Sequence, residues 1–221
     1  MKRAHQRFQE SYYDHCAYSF SPDERIRKVL EIIPEGSGRL LDIGCSDGSL
    51  SRHFLGKGYN VEGVDISGKA VRLARQKGIR ARKADFTRRL PYPAGAFDAV
   101  FCGEVIEHIL HPDVLLHEIN RVLRPGGRLF LTTPNISSLR NAVLILFGRM
   151  PAYASRYNSP HIRDYNCADV GSLLAHAGFR DIIIAGDKIA LPIGKGRAIH
   201  LPAFTAQWSD YLIASCTKQR G

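Results

Sequence analysis

The 221-residue chain lacks any Cys-x-x-Cys pair, and its five cysteines, Cys16, Cys45, Cys102, Cys167 and Cys216, are odd in number and widely spaced. Neither a disulfide framework nor a thiolate zinc site is expected from such usage. Internal repeats and low-complexity tracts are also missing. Long apolar runs are missing too: Ala142-Val143-Leu144-Ile145-Leu146-Phe147 falls far short of a bilayer span. Met1-Lys2-Arg3-Ala4-His5-Gln6-Arg7 has the charge of a signal peptide, but no apolar core follows it. A reduced, cytoplasmic protein with no transmembrane segment is the expectation. Acids are the scarcer charge, 21 Asp and Glu against 31 Lys and Arg, for a net charge of +10. That surplus suits phosphates, nucleic acid, acidic glycans or membrane headgroups, and equally a surface that only aids solubility.

What is present is an ordinary globular mixture, 44% hydrophobic and 24% charged, in a chain long enough to bury a sizeable core. Ser21-Pro22-Asp23-Glu24 reads as a helix start, with proline just inside a serine cap. After Gly36-Ser37-Gly38, the apolar run Leu40-Leu41-Asp42-Ile43 reads as a buried strand. Helix and strand patterns then alternate: a helix over 49–57, a strand over 61–65, a helix over 67–77 and a weaker strand over 79–84. A fourth strand over 97–101, an amphipathic helix over 114–123 and a fifth strand over 128–133 follow. This alternation predicts an α/β fold with a parallel sheet covered on both faces. The last third predicts helices near 138–147 and 168–177 and strands over 181–185 and 211–215. No stretch reads as a linker, so one domain is expected.

Ligands of open α/β sheets bind beyond the carboxyl ends of the strands, where Asp42-Ile43-Gly44-Cys45-Ser46-Asp47-Gly48 lies. Its glycines turn the backbone tightly and leave room for a ligand. The spacing is neither the Gly-x-Gly-x-x-Gly of dinucleotide sites nor a P-loop. Asp65, at the end of the second strand, is placed to accept hydrogen bonds from ribose hydroxyls. Together with Val61-Glu62-Gly63-Val64-Asp65-Ile66-Ser67, Ala84-Asp85-Phe86, Phe97-Asp98-Ala99-Val100 and Arg121-Val122-Leu123-Arg124-Pro125-Gly126-Gly127, this loop resembles the class I S-adenosylmethionine-dependent methyltransferases. The resemblance implies a single Rossmann-like domain over 1–221 with a mostly parallel seven-stranded sheet and helices on both faces. It implies an N-terminal cap over 1–37, a cofactor-binding core over 38–133 and an acceptor side over 134–221. The cofactor, S-adenosylmethionine, and its product S-adenosylhomocysteine would lie along Asp42, Gly44, Cys45, Ser46, Gly48, Asp65, Ile66, Asp85, Phe86, Gly103 and Glu104. Asp42 would anchor the loop or the amino-acid moiety. Ser46 departs from the family pattern, which has glycine there.

Glu104-Val105-Ile106-Glu107-His108 follows the fourth strand. If Glu104 opens a helical turn, Glu107 and His108 return to its side. His108 could then take a proton from an acceptor hydroxyl, with Glu107 and His161 beside it. Alternatively Glu104, Glu107, His108 and His161 could bind a divalent metal, as in the small-RNA 2′-O-methyltransferases and quinone O-methyltransferases that this segment resembles. Two imidazoles suit magnesium poorly, and the metal is the less favoured reading. His53, His111, His117 and His176 read as surface or helix histidines.

Thr132-Thr133-Pro134-Asn135, Ser138-Leu139-Arg140-Asn141 and Phe147-Gly148-Arg149-Met150-Pro151 resemble a bacterial group that includes MetW-like proteins and enzymes modifying glycans or lipid-linked intermediates. The resemblance makes Tyr153, Tyr157 and His161 candidates for acceptor contacts. Residues 71–90 carry eight Lys and Arg against Asp85 alone, a basic face open to nucleic acid or to solvent. Three function classes remain: an O-methyltransferase of a small-molecule, glycan or lipid-linked acceptor, a nucleic-acid methyltransferase, and a cofactor-holding module that works through a partner enzyme.

Overall fold

Strands buried on both faces are apolar at every position, whereas half-exposed strands alternate. The computed structural model shows both kinds; it describes residues 23–152, 154, 160–194 and 197–220. Ser21, Pro22, Cys16, the aromatic opening before them, Tyr153 and Tyr157 lie outside the described residues. In chain order the elements are α1 (Glu24–Ile32), β1 (Arg39–Ile43), α2 (Ser49–Gly56), β2 (Asn60–Asp65), α3 (Gly68–Gln76), β3 (Arg80–Lys83), β4 (Phe97–Gly103), α4 (Pro112–Val122) and β5 (Leu123–Pro134). They continue with α5 (Leu139–Leu146), α6 (Cys167–His176), β6 (Phe179–Gly186), β7 (Lys188–Gly194), β8 (Arg197–Pro202) and β9 (Tyr211–Lys218).

Seven strands form one sheet in the order β3-β2-β1-β4-β5-β9-β6. The pairs from β3 to β5 are parallel, and β9 runs antiparallel to β5 and to β6. The twofold alternation of side chains along a strand divides the core. Leu41, Ile43, Val100, Cys102, Leu129 and Leu131 pack with Leu116 and Ile119 of α4. Leu40, Val61, Ala99, Phe101 and Phe130 pack on the opposite face with Val29 of α1 and Phe54 of α2. The mostly parallel, doubly covered α/β sheet expected from the alternation is present. The edge strand β3 is short and charged, with only Ala81 buried, a composition that discourages pairing with another chain. The basic residues of 71–90 cluster here, largely exposed.

Local chemistry sets the helix starts. Asp23, rather than the predicted Ser21, caps α1: its carboxylate accepts from the Ile26 amide at 2.9 Å. Aspartate caps as well as serine does, and being two residues closer it defines the first turn. Ser67 and Ser138 cap α3 and α5, and Asn166 and Asp169 form a reciprocal capping box on α6. The predicted fifth strand is longer than expected, and it begins at Leu123 because that residue pairs with Phe97 across an irregular register. The β7–β8 ribbon, paired antiparallel outside the main sheet, is an element that the sequence reading missed.

Asp42 of β1 is fully buried and accepts a hydrogen bond from the Ser51 hydroxyl of α2 at 2.5 Å. Burial pushes its carboxyl up to about 7, the Ser51 hydrogen bond opposing the rise and nearby Asp65 adding to it. The unfolded chain therefore ionises at this position first, and stability is lost as pH rises from the ordinary carboxylate range to about 7. Replacement Asp42→Asn is expected to flatten that part of the stability–pH curve, read by urea denaturation at a series of pH values. An unchanged slope would show that Asp42 titrates as it does in the unfolded chain.

Candidate active site

Because the strand order reverses between β1 and β4, a crevice forms at their carboxyl ends. Four adjacent strands deliver the predicted residues to that edge: β1 the loop 44–48, β2 Asp65 and Ile66, β3 the turn with Asp85 and Phe86, and β4 Gly103 and Glu104. The first loop is shaped by its backbone. Gly44 and Gly48 have φ of +74° and +76°, and a Cβ on Gly44 would meet Val105 Cγ2 at 2.6 Å. Ser46 also has positive φ, +50°, which explains why glycine is the usual residue there: a side chain in this region costs roughly 1–2 kcal/mol.

Asp65 organises the crevice. One oxygen accepts from the Ser46 amide at 2.9 Å and the other from the Ser67 amide at 2.8 Å. The carboxylate thus joins the loop after β1 to the start of α3. Cys45 contributes only backbone to the edge. Its amide bonds Val64 O, and its thiol packs with Val71, Ala74, Ile79 and Ala81 in the core. Asp85 accepts from the amide and hydroxyl of Thr87 through Oδ1. Its Oδ2 is buried without a hydrogen bond, although Arg88 Nε stands 3.1 Å away. Phe86 is buried as an apolar wall, and Ile66 is half-buried.

Glu104 does not open a helical turn. Its φ is +54°, and the following turn is a short 3₁₀ segment, Ile106–His108. Its carboxylate accepts from Thr132 Oγ1 at 2.9 Å and pairs with Arg25 Nη1 at 2.9 Å. This ion pair removes Glu104 from the cluster expected to surround His108. Arg25 of α1 is the residue that sequence reasoning missed. Its guanidinium stacks over Tyr211 at 4.9 Å, and its Nε is buried without a hydrogen-bond partner. Burial works against its charge, but Glu104 and Asp23 more than compensate, and the net shift is upward. No local motif marks Arg25, because its contacts come from strands far along the chain.

Beyond the end of β4, the structure brings Glu107, His108 and His161 together, their ligand atoms all within 4.8 Å of one another. Backbone bonds pin the distant segment: the Ile162 and Arg163 amides donate to Glu107 O, and Arg163 Nη2 donates to Leu110 O at 2.7 Å. The His108 and His161 rings meet edge to face at 4.7 Å. His108 Nδ1 lies 3.1 Å from Pro160 O. A carbonyl only accepts, so Nδ1 carries the proton and the neutral ring has its basic nitrogen at Nε2. Glu107 accepts from Thr133 Oγ1 through one oxygen, and the other is buried without a hydrogen bond. Burial, reinforced by Glu104, pushes its carboxyl well above the usual range. A small pocket opens beside this cluster, lined by Glu107, Pro134, Ile136, Ala152, His161, Arg163 and Asp164.

The crevice fits S-adenosylmethionine: a buried guanidinium nitrogen and a buried carboxylate oxygen at one sheet edge lack hydrogen bonds, as a polar ligand would require. The chain resembles known proteins in the same sense. A family model described as a methyltransferase domain matches residues 9–183. The ubiquinone biosynthesis O-methyltransferase of Xanthomonas axonopodis pv. citri (strain 306) is 28% identical over 163 residues, 71% of this chain and 68% of that protein. The protein of the same name from Dechloromonas aromatica (strain RCB) is 35% identical over 118 residues, 50% of each chain. Among solved structures, a methyltransferase of Thermotoga maritima superposes with a TM-score of 0.70 at 18% identity, covering 99% of this chain and 100% of that one. The order of strands, the crevice at their ends and the match over most of the sequence agree: the chain belongs to the methyltransferase domain family and is an S-adenosylmethionine-dependent methyltransferase.

Proposed function

We propose that the chain methylates a hydroxyl of a small-molecule or lipid-linked acceptor, with His108 as proton acceptor. The observation that carries this reading is the imidazole beside the acceptor-side pocket, its proton held on Nδ1 by Pro160. The names of the relatives, O-methyltransferases of ubiquinone biosynthesis, support a hydroxyl on a small molecule. A glycan acceptor, nucleic acid or a partner enzyme rests on net charge and resemblance alone. A cytoplasmic location belongs to this proposal; among the described residues no helix is long and apolar enough to cross a membrane.

S-adenosylmethionine supplies an electrophilic methyl carbon on a sulfonium. The protein's part is to hold, orient and deprotonate. Asp65 binds the ribose, Asp85 and Phe86 the adenine, and Arg25 the carboxylate of the amino-acid moiety. The Ser46–Gly48 loop closes over the same ligand. As the carbon–oxygen bond forms, the acceptor hydroxyl gives its proton to His108 Nε2. Glu107 and His161 position that ring. Alignment of the two reactants and removal of water account for much of the acceleration.

The second reading, a divalent metal, is favoured by the convergence of Glu107, His108 and His161. A bound ion would lower the pKa of the acceptor hydroxyl. With one carboxylate and two imidazoles the site suits manganese or zinc better than magnesium.

Two measurements test the assignment. Asp65→Ala should weaken S-adenosylhomocysteine binding in calorimetry by roughly 1.5–3 kcal/mol; equal affinity removes Asp65 from the site. His108→Ala should lower kcat by about 10²–10⁴ with cofactor affinity intact. Activity that survives chelator supports the proton acceptor. Loss with chelator that manganese restores supports the metal, and full activity in both experiments discards both.

A further inference from the structure

The charge of this chain is unevenly placed. No Asp or Glu lies between Glu118 and Asp164, nor between Asp187 and Asp210, although the chain has 21 acids. The first of these segments holds α5 and the second holds the β7–β8 ribbon, and α5 packs against β7. The same two segments carry nine of the thirteen large apolar side chains exposed among the described residues. Leu146 is 81% exposed, and Phe147 and Phe204 are each 74% exposed. In the ribbon Ile189 pairs with Leu201 and Leu191 with Ile199. Directly paired residues share a face, so one face of the ribbon is apolar; Ile189 is buried on it, while Ile199 and Leu201 on β8 are exposed. Phe204 and Trp208 stack edge to face at 5.7 Å just beyond. Arg149, just past the end of α5, is exposed too.

We propose that the surface formed by the end of α5, the β7–β8 ribbon and the Phe204–Trp208 turn rests on an anionic lipid bilayer. Exposed aromatic and aliphatic side chains in two segments without one acid, on a chain of net charge +10, match the boundary between acyl chains and negative headgroups. A second copy of the chain is a poor occupant, because it would set two like-charged surfaces of a +10 protein face to face. The contact is peripheral, since α5 is an eight-residue helix.

The surface is built into the wall of the acceptor pocket. Asn141 of α5 donates to the Asn135 and Ile136 carbonyls and accepts from the Ala152 amide. Asn135, at the end of β5, donates to the Gln207 and Ser209 carbonyls that flank Trp208. Ile136 and Ala152 line the pocket. A lipid-linked acceptor would thus reach the cluster around His108 from the membrane side. This direction of entry rests on the proposed function; the bilayer contact does not.

Trp208 is the single tryptophan of the chain, so its fluorescence reports on the contact. The full chain, without cofactor or acceptor, is mixed with vesicles of pure phosphatidylcholine or of equimolar phosphatidylcholine and phosphatidylglycerol. Flotation with the anionic vesicles is expected, weakening as salt is raised, together with a blue shift of Trp208 and its quenching by brominated acyl chains. The double variant Leu146→Glu, Phe204→Glu should lose about tenfold or more in partitioning, with thermal midpoint and S-adenosylhomocysteine affinity unchanged. Failure to float, or flotation with Trp208 unshifted and unquenched, overturns the proposal whether or not the variant folds. A lipid-free dimer that the same substitutions dissociate, with no flotation, assigns the surface to a second copy instead. Vesicle binding alongside absent O-methylation would reject only the proposed function.

Discussion

A sheet covered by helices on both faces leaves its backbone and its polar side chains one route to a ligand, the ends of the strands. In this protein both faces of β1, β4 and β5 are closed, by α4 on one side and by α1 and α2 on the other. Parallel pairing then sends every strand from β1 to β4 toward the same edge. The crevice between β1 and β4 is a geometric result of that order. The candidate site residues gather at strand ends and in the loops just beyond them, with Arg25 reaching in from α1.

That edge collects acidic side chains within a basic chain. Asp42, Asp65, Glu104 and Glu107 all stand at or near the strand ends, and Asp42 and Glu107 have raised pKa values because burial disfavours their ionised forms. The fold contains this strain with three devices. Backbone amides of Ser46 and Ser67 hold Asp65, the Ser51 hydroxyl holds Asp42, and Arg25 neutralises Glu104. The last ties the start of α1 to the end of β4. Amphipathic burial of α1 brings Val29 to the core while Arg25 reaches Glu104 and Tyr211. A half-buried ion pair of this kind costs stability when broken from one side, since the remaining charge has lost part of its solvent.

The wall of the pocket beside His161 depends on two asparagines instead. Asn135 and Asn141 are almost fully buried; Asn135 bonds the carbonyls of Ala206, Gln207 and Ser209 far along the chain, and Asn141 ties the nearer Asn135, Ile136 and Ala152 backbone together. Such satisfied amides turn irregular chain into a fixed wall. They tie α5 and the turn before β9 to the pocket that His161 and Arg163 complete.

Much of the cofactor side was legible in the sequence because its signals are local. Apolar runs marked β1, β2 and β4, glycines marked the turn after β1, and Asp65 falls where a strand must end. Even the departure at Ser46 found its meaning in one dihedral angle. The ribbon was not legible, since Pro192, Gly194 and Gly196 interrupt its pattern, and its two strands pair with each other rather than within the main sheet. Nor could spacing reveal that Glu104 turns toward Arg25 while Glu107 and His108 turn toward His161. Residues so far apart in the chain meet only after helices and strands have packed. The sequence by itself determined the sheet, its crevice and the loop that lines it, through periodicity and backbone stereochemistry. Only the tertiary structure decided the partners of each charged side chain, because those depend on long-range contacts that no local pattern encodes.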